Sequence, residues 1–319
     1  MKIAVYGPNW VGDAALSLPF IYHVKKKYPN SEIIIICKDW VRPVYQNNPN
    51  IYKIINIMTR QSRGVINTIR LGLVLRRENI EIFYTLTDSF RSSIVLWLSS
   101  SKKRVGYNAQ GRGIFLTSKV ELLIKKNHRS KKYLQLIGKD DLSLDEKLIY
   151  LKKEEIHWAK QEIEKLDIEN PVGVFPFSVS ELRTFPNEKI SEWLNGSNEN
   201  YLIFGAKNDK EKAIKIINEN KNISMTSLCG KYSLRQSMAL ISLCKYAIAA
   251  DSGLGHISSI LKVPTISFFG ANRALVTKPI GGNCLVIDKS NRCNPCKKNT
   301  CCLKSINKDD VDYIINSLL

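Results

Sequence analysis

Short, uninterrupted apolar runs recur along the chain, and each gives way to a glycine, an aspartate or a polar turn before a helical stretch begins. KIAVYG (2–7), EIIIICK (32–38), IYKIINI (51–57) and IEIFYTLTD (80–88) are the runs of the first half, and KKRVGYN (102–108) reads as another short strand. Such runs lack the polar alternation of a half-solvated sheet, so they read as strands covered on both faces, as in a parallel sheet. The stretches between them have helical character: DAALSLPFIYHVKKKYP, VINTIRLGLVLRREN and SFRSSIVLWLSS. Strands alternating with helices build βαβ units and a doubly wound α/β sheet. Residues 145–170 form a polar, charge-laced helical stretch closed by Pro171, after which the pattern restarts. Strands are expected at PVGVFPFS (171–178), YLIFGAK (201–207), YAIAAD (246–251) and PTISFFG (264–270), with helices at ISEWLNG, KEKAIKIINEN, SLRQSMALISLC and GLGHISSILKV. Two α/β domains are therefore expected, residues 1–150 and 151–319, and a length of 319 residues suits two domains of about 100–200 residues each.

Composition narrows the function. With 44% hydrophobic residues the chain holds too much apolar content to be intrinsically disordered. It has no stretch near the roughly 18 apolar residues of a spanning helix. Pro8, Asn9 and Asp13 interrupt any signal-like core at the start, so a cytoplasmic protein is expected and its eight cysteines are expected to be reduced. Cys37, Cys229, Cys244 and Cys284 lie in apolar runs and read as small core residues. The net charge of +19 calls for an anionic partner. It is segregated: residues 1–135 hold 23 Lys+Arg against 7 Asp+Glu, and residues 136–319 hold 25 against 22. A plain solubility role explains a segregated excess less well.

Two turns carry the candidate chemistry. The first strand ends in Gly7-Pro8-Asn9-Trp10-Val11-Gly12-Asp13, which lacks the G-x-G-x-x-G spacing of a dinucleotide site. Asp13 falls at the carboxyl edge of the sheet, where α/β proteins hold ligands. A carboxylate there can take a proton from a hydroxyl; equally, Asp13 can cap a helix starting at Ala14. In the second half, Ala250-Asp251-Ser252-Gly253-Leu254-Gly255-His256 is a strand end, an acidic turn and a helix start. Amides at a helix start favour a diphosphate, and Gly253 permits close approach to the main chain. An ordinary capped glycine turn remains the alternative.

Taken together, GPNWVGDAALSLP (7–19), W-x-R-P (40–43), DSFRSS (88–93), RVGYNAQGRG (104–113), FGAKNDKE (204–211), GKYSL (230–234), ADSGLGHISSILKVPTISFFG (250–270) and a CNPC…C tail (293–302) resemble the lipopolysaccharide heptosyltransferases of glycosyltransferase family 9, and within them the heptosyltransferase II branch. The resemblance implies a GT-B fold of two Rossmann-like domains facing across a cleft. It also implies inverting transfer of heptose from ADP-heptose to the lipopolysaccharide inner core, with no metal or other cofactor required. The first domain would bind the acceptor and the second the donor; the last helix would pack back on the first domain. Asp13 matches the family carboxylate that serves as general base. Arg183, in LRTFP where the family usually has Lys, would clamp the donor phosphates beside the Ser252 and Gly253 amides. A guanidinium fork there replaces a point charge. Asp251 would bind a sugar hydroxyl, His256 the phosphate or sugar, and Asp209 the ribose. Gly230, Ser233 and Leu234 would line the adenine site. Asn9, Trp10, Ser89, Arg91 and Arg112 would bind the acceptor.

The chain departs from the family pattern at Pro176-Phe177, where Pro-Gly is usual. Cys293, Cys296, Cys301 and Cys302 are cramped for a tetrahedral zinc site, and a reduced surface loop is expected. The basic run of Lys125, Lys126, Arg129, Lys131 and Lys132 is either a solvated face or a contact for lipid A phosphates or anionic lipid. The expected partners are a nucleotide-diphosphate sugar, an anionic lipopolysaccharide precursor and the anionic inner-membrane surface, to which a monomeric enzyme would associate peripherally. Three other readings stay open: a family 9 paralogue using another nucleotide-diphosphate sugar, a sugar-nucleotide-binding protein without catalysis, and a basic nucleic-acid-binding protein. Nucleic acid is not an expected partner, because no known module and no basic surface interleaved with aromatics is evident.

Overall fold

The computed structural model describes residues 1–58, 64–121, 127–142, 146–290 and 302–318. The chain divides into two compact units, Met1–Tyr150 and Leu151–Leu319. Unit 1 runs β1 (Lys2–Tyr6), α1 (Val11–Leu16), α2 (Leu18–Lys27), β2 (Glu32–Lys38), α3 (Arg42–Tyr45), β3 (Lys53–Ile57), α4 (Val65–Arg76), β4 (Ile82–Thr85), α5 (Phe90–Leu98), β5 (Lys103–Tyr107), β6 (Ser118–Val120) and α6 (Arg129–Gln135). Unit 2 runs α7 (Lys153–Lys165), β7 (Val172–Phe175), α8 (Asn187–Leu194), β8 (Tyr201–Ile203), α9 (Lys210–Glu219), β9 (Met225–Ser227), α10 (Leu234–Ile241), β10 (Ala247–Ala250), α11 (Gly253–Ile260), β11 (Thr265–Phe269), α12 (Ala274–Thr277), β12 (Cys284–Asp288) and α13 (Lys308–Leu318).

Each unit is built on a six-stranded sheet, ordered β3-β2-β1-β4-β5-β6 in the first and β12-β11-β10-β7-β8-β9 in the second. Every strand pair is parallel. The two orders are the same doubly wound topology, with the sheet reversing direction between β1 and β4 and between β7 and β10. Crevices at the carboxyl ends of those central strands are where such sheets bind ligands. The continuous apolar runs have their reason here: Ile33, Ile34, Ile35 and Ile36 are all 0% exposed, because helices cover both faces.

Local chemistry reshapes two expected helices. The stretch from Asp13 to Tyr28 is two helices broken at Ser17, since Pro19 has no N–H to continue the ladder and Ser17 Oγ donates to Ala14 O at 2.7 Å. Among its described residues, the polar stretch at 145–170 is helical only over Lys153–Lys165, its start fixed by Lys152 N donating to Glu155 Oε2 at 2.7 Å. Ahead of it, Leu148 and Ile149 are buried in unit 1, and Leu148 O accepts from Asn48 Nδ2 at 3.2 Å.

In unit 2 the core is aromatic. Phe185, Trp193 and Phe268 pack with ring centroids 4.8–5.2 Å apart, the edge-to-face and tilted contacts that aromatic quadrupoles favour. Trp193 Nε1 donates to Ile306 O at 3.1 Å, which ties down the segment leading to α13. That helix packs on α8, β11 and β12 through Val311, which is fully buried.

Candidate active site

The switch point of unit 1 gathers the loops after β1 and β4 and the start of α6. The β1 loop is held by backbone and side-chain bonds: Gly7 N donates to Ile36 O at 2.8 Å, and Trp40 Nε1 donates to Asn9 O at 2.8 Å. A Cβ on Gly7 would meet Tyr45 Oη at 3.2 Å, and that hydroxyl lies 2.9 Å from Ser17 Oγ. Trp10 is the residue preceding α1 and is 58% exposed. Because the helix begins at Val11, Asp13 sits inside its first turn and does not cap a helix at Ala14. A carboxylate there is favoured by the unpaired amides of the helix start. The α6 start approaches it: Ser130 Oγ donates to Leu16 O at 2.8 Å, and Arg129 Nε lies 3.5 Å from Asp13 Oδ1.

Beside this pair stands a second carboxylate. Asp88 lies 2.5 Å from Lys132 Nζ and 3.1 Å from Arg112 Nη2. Burial works to raise the Asp88 carboxyl, but the Lys132 hydrogen bond and the charges of Lys132, Arg112 and Arg129 outweigh it and hold it below the usual range. The Lys132 ammonium also sits over the Tyr107 ring, 5.2 Å from its centroid. Arg112 is 0% exposed; its Nε donates to Tyr107 O at 2.7 Å and its Nη1 to Thr87 O. Its donors thus point into the unit, and its place is behind the surface, holding the β4 and β5 loops together. Ser89 immediately precedes α5 and is exposed. Arg91 is half-buried and close enough to Tyr6 for its charge to oppose the burial that pushes that hydroxyl up to about 12.

The switch point of unit 2 is built on β7 and β10. Asp251 is 5% exposed and accepts from Asn272 Nδ2 at 2.7 Å and from Arg183 Nη1 at 3.4 Å. Its backbone O accepts from Ser178 Oγ at 3.0 Å. Burial raises the Asp251 carboxyl, with the Arg183 charge and the Asn272 and Arg183 hydrogen bonds pulling against it. Arg183 keeps a quarter of its side chain exposed, so the cation is held through one guanidinium nitrogen and stays partly open to solvent. α11 starts directly after, with Ser252 as its cap position and Ser252 Oγ buried without a protein hydrogen-bond partner. His256 lies one turn in and is 5% exposed.

The residues expected at the ribose and adenine have local work. Asp209 Oδ2 accepts from Ala206 N at 2.8 Å and closes the loop after β8. Ser233 caps α10, its Oγ accepting from Gln236 N at 3.3 Å, while Leu234, the first residue of that helix, is half-buried. Gly230 has φ +67° and its Cα hydrogen faces the Lys207 backbone, where a Cβ would come within 2.7 Å of Lys207 Cα. Arg183, Asp251 and Ser252 gather at the switch point of the second sheet; Asp209, Gly230 and Ser233 lie along the β8–β9 side.

Sequence reasoning missed four groups at these points. Arg129 and Lys132 stand in a basic run, Asp88 closes the strand run IEIFYTLTD, and Asn272 follows a strand without any motif. One signal was available for the last two: a polar residue with a carboxylate or amide just past a buried apolar strand. Lys125, Lys126, Cys293, Cys296 and Cys301 lie outside the described residues. Cys302 is half-buried in the turn Cys302–Ser305. Among the described residues no three His, Cys, Asp or Glu are grouped as metal ligands.

The profile of Glycosyltransferase family 9 (heptosyltransferase) matches residues 68–307. The chain belongs to glycosyltransferase family 9. Asp88, Arg112, Arg129, Lys132 and the whole unit 2 cluster fall within the matched residues, and Asp13 precedes them. Lipooligosaccharide heptosyltransferase 2 of Campylobacter jejuni is 28% identical over 95% of this chain and 93% of that protein. Lipopolysaccharide heptosyltransferase 2 of Salmonella typhimurium is 25% identical over 90% of this chain and 88% of that protein. Among solved structures, the E. coli ADP-heptose LPS heptosyltransferase II superposes with TM-score 0.82 at 22% identity, covering 100% of this chain and 98% of that one. The family 9 glycosyltransferase of Veillonella parvula gives 0.86 at 21%, covering 99% and 96%. The family 9 chain is thus an α/β glycosyltransferase of the GT-B class.

Proposed function

We propose that this family 9 enzyme transfers heptose from ADP-heptose to the inner core of lipopolysaccharide, with inversion at the anomeric carbon. The observation that carries this reading is the alignment with heptosyltransferases 2 over 90–95% of the chain. The two switch-point clusters supply matching chemistry. In unit 2 the donor diphosphate sits at the start of α11, where backbone amides favour an anion and Ser252 Oγ has a hydrogen bond to give. Arg183 adds a charged fork, one arm of which is held by Asp251. As the bond to the leaving ADP lengthens, charge grows on the diphosphate, and donors already fixed in place stabilise it most. The sugar passes through an oxocarbenium-like state, as in glycoside hydrolysis.

In unit 1 Asp13 accepts the proton of the acceptor hydroxyl as that oxygen attacks the face opposite the ADP. Arg129 holds the carboxylate in place, and Arg112 acts through Asp88 and Lys132 to hold α6. Asn9, Trp10, Ser89 and Arg91 surround the acceptor, and the cations meet its phosphates. His256, Asp209, Gly230, Ser233 and Leu234 flank the nucleotide sugar. No metal takes part in this scheme. Among the described residues no helix is long and apolar enough to cross a membrane; the enzyme works as a monomer associated peripherally with the cytoplasmic face of the inner membrane.

The test is a donor panel. The purified protein is incubated with ADP- and UDP-sugars, with and without a phosphorylated inner-core acceptor, and nucleotide release and product mass are followed. Acceptor-dependent release of ADP from ADP-heptose is expected. Turnover of a different nucleotide sugar in its place makes the protein a paralogue with another donor. Salt-sensitive binding of DNA or RNA with no binding of any sugar nucleotide overturns the reading.

A further inference from the structure

One face of unit 1 exposes apolar side chains that the fold leaves uncovered. α4 reads VINTIRLGLVLR, apolar on nearly every side, and a helix of that kind is ordinarily enclosed. Its inner side is enclosed: Thr68, Gly72 and Leu75 are buried. Its outer side is not, with Ile66 81%, Ile69 42% and Leu73 48% exposed. α5 lies directly against α4, so close at Gly72 that a Cβ there would come within 2.4 Å of Leu98 Cβ. α5 carries Trp97, 51% exposed, whose ring centroid is 5.7 Å from that of Phe115 in the 3-10 turn Arg112–Phe115. Next to Phe115, Ile114 is 77% exposed. α4, α5 and this turn are packed in succession, and each exposes apolar side chains.

The charge on the same elements has one sign. Residues 64–77 contain Arg70, Arg76 and Arg77 and no Asp or Glu, and residues 89–120 contain six Lys+Arg and no Asp or Glu. Arg70, Arg76, Arg77, Lys102 and Lys103 are exposed. A second copy of this chain would bring the same positive charge to the contact. A nucleic acid would satisfy the cations and leave the aliphatic and indole side chains in water. An anionic bilayer surface accepts both, taking apolar and indole groups at the headgroup boundary and arginines at its phosphates.

We propose that this face of α4, α5 and the Arg112–Phe115 turn docks the enzyme on an anionic phospholipid bilayer. The inference gives a specific surface to the peripheral association in the proposed function and rests on that reading only for the acceptor's location. Vesicle binding and sugar transfer are therefore measured separately on the full chain. Flotation with phosphatidylcholine vesicles is compared with flotation on mixed phosphatidylcholine–phosphatidylglycerol vesicles, for the wild type, Ile66→Gln/Leu73→Gln and Arg70→Gln/Arg76→Gln. The wild type is expected to bind the mixed vesicles and not phosphatidylcholine alone, and each double variant to bind about tenfold or more weakly. ADP affinity, the circular dichroism spectrum and transfer to a lipid-free acceptor should stay at wild-type values. Quenching of tryptophan fluorescence by brominated phosphatidylglycerol should fall in Trp97→Phe. Wild-type vesicle binding by both double variants, or absence of wild-type binding to the mixed vesicles, overturns the proposal. So does a wild-type dimer that Ile66→Gln/Leu73→Gln converts to monomer, because the face then meets a second copy. Vesicle binding that behaves as expected while ADP-heptose is not turned over overturns the transfer reading alone.

Discussion

Arg129 Nε stands 3.5 Å from Asp13 Oδ1 without the alignment of a hydrogen bond. The two come from opposite ends of unit 1 and are brought together because α6 is fastened to the end of α1 through Ser130 and Leu16. An ion pair at that distance orients a carboxylate and leaves its oxygens able to accept a proton from a substrate. His128 makes the same approach rigid by capping α6, its Nδ1 accepting from Ser130 N at 3.2 Å.

Asp13→Ala should lower kcat for transfer by on the order of 10²–10⁴-fold, the range of a lost general base, and leave ADP binding unchanged in calorimetry. Arg129→Ala should lower kcat by about tenfold or more through misplacement of the carboxylate. Arg129→Lys, or guanidinium ion added to Arg129→Ala, should restore part of the loss. Retained activity in Asp13→Ala would remove the base assignment.

Much of this fold is legible in the sequence because central parallel strands are buried on both faces and cannot contain polar alternation. EIIIIC and TISFF are of that kind. The edge strands β6 and β9 are three residues long, read SKV and MTS and contain no fully buried residue, so they need no apolar signature. Of the candidate site, the sequence singles out Asp13 and Asp251 through the turns that follow β1 and β10. Arg112 shows why the rest is not legible. An arginine between two glycines reads as exposed, and its complete burial depends on acceptors at Thr87, Asp88 and Tyr107 that only the folded β4 and β5 loops bring within reach.

Asp88→Asn should destabilise unit 1, because it leaves the buried Arg112 guanidinium without its counter-charge. Asp88 is itself 41% exposed, so the cost is taken below that of a fully buried pair, at about 1–3 kcal/mol. The pH dependence has a definite sign. The folded carboxyl is held low, so its contribution is present above the ordinary aspartate range and is lost as pH falls through that range towards the folded value. The gap in Tm between wild type and Asp88→Asn should therefore narrow as pH is lowered towards about 3. A gap independent of pH would mean that the charge of Asp88 is not what stabilises the α6 junction.

Gly230→Ala should cost more than Gly196→Ala, and the difference isolates a clash. Both glycines have positive φ, +67° and +76°, but a Cβ at Gly196 meets nothing within 4 Å. Gly196→Ala therefore carries only left-handed strain of about 1–2 kcal/mol. Gly230→Ala adds a contact with the Lys207 backbone, which cannot swing away as a side chain could, and at least about 1 kcal/mol more is expected. Chemical denaturation of the two variants measures it, and equal losses would show that the loop after β8 yields.

Arg183→Ala should weaken ADP binding by about tenfold to a hundredfold, the worth of one charge-assisted contact to phosphate. Arg183→Lys should recover part of this, since a lysine restores the charge and not the fork. The pH dependence separates a phosphate clamp from a packing residue. Burial already raises the Asp251 carboxyl, and Arg183 is the charge that opposes the rise. Without Arg183 that carboxyl rises further and stays protonated to a higher pH. Where it is ionised it stands without a counter-charge beside a diphosphate and repels it; where it is protonated the repulsion is gone. The affinity deficit of Arg183→Ala should therefore be greatest at high pH and shrink as pH falls. Calorimetric titrations of ADP across the neutral and mildly acidic range would show this, and a deficit that is constant with pH would mean that Arg183 and Asp251 do not act as one unit on the phosphates.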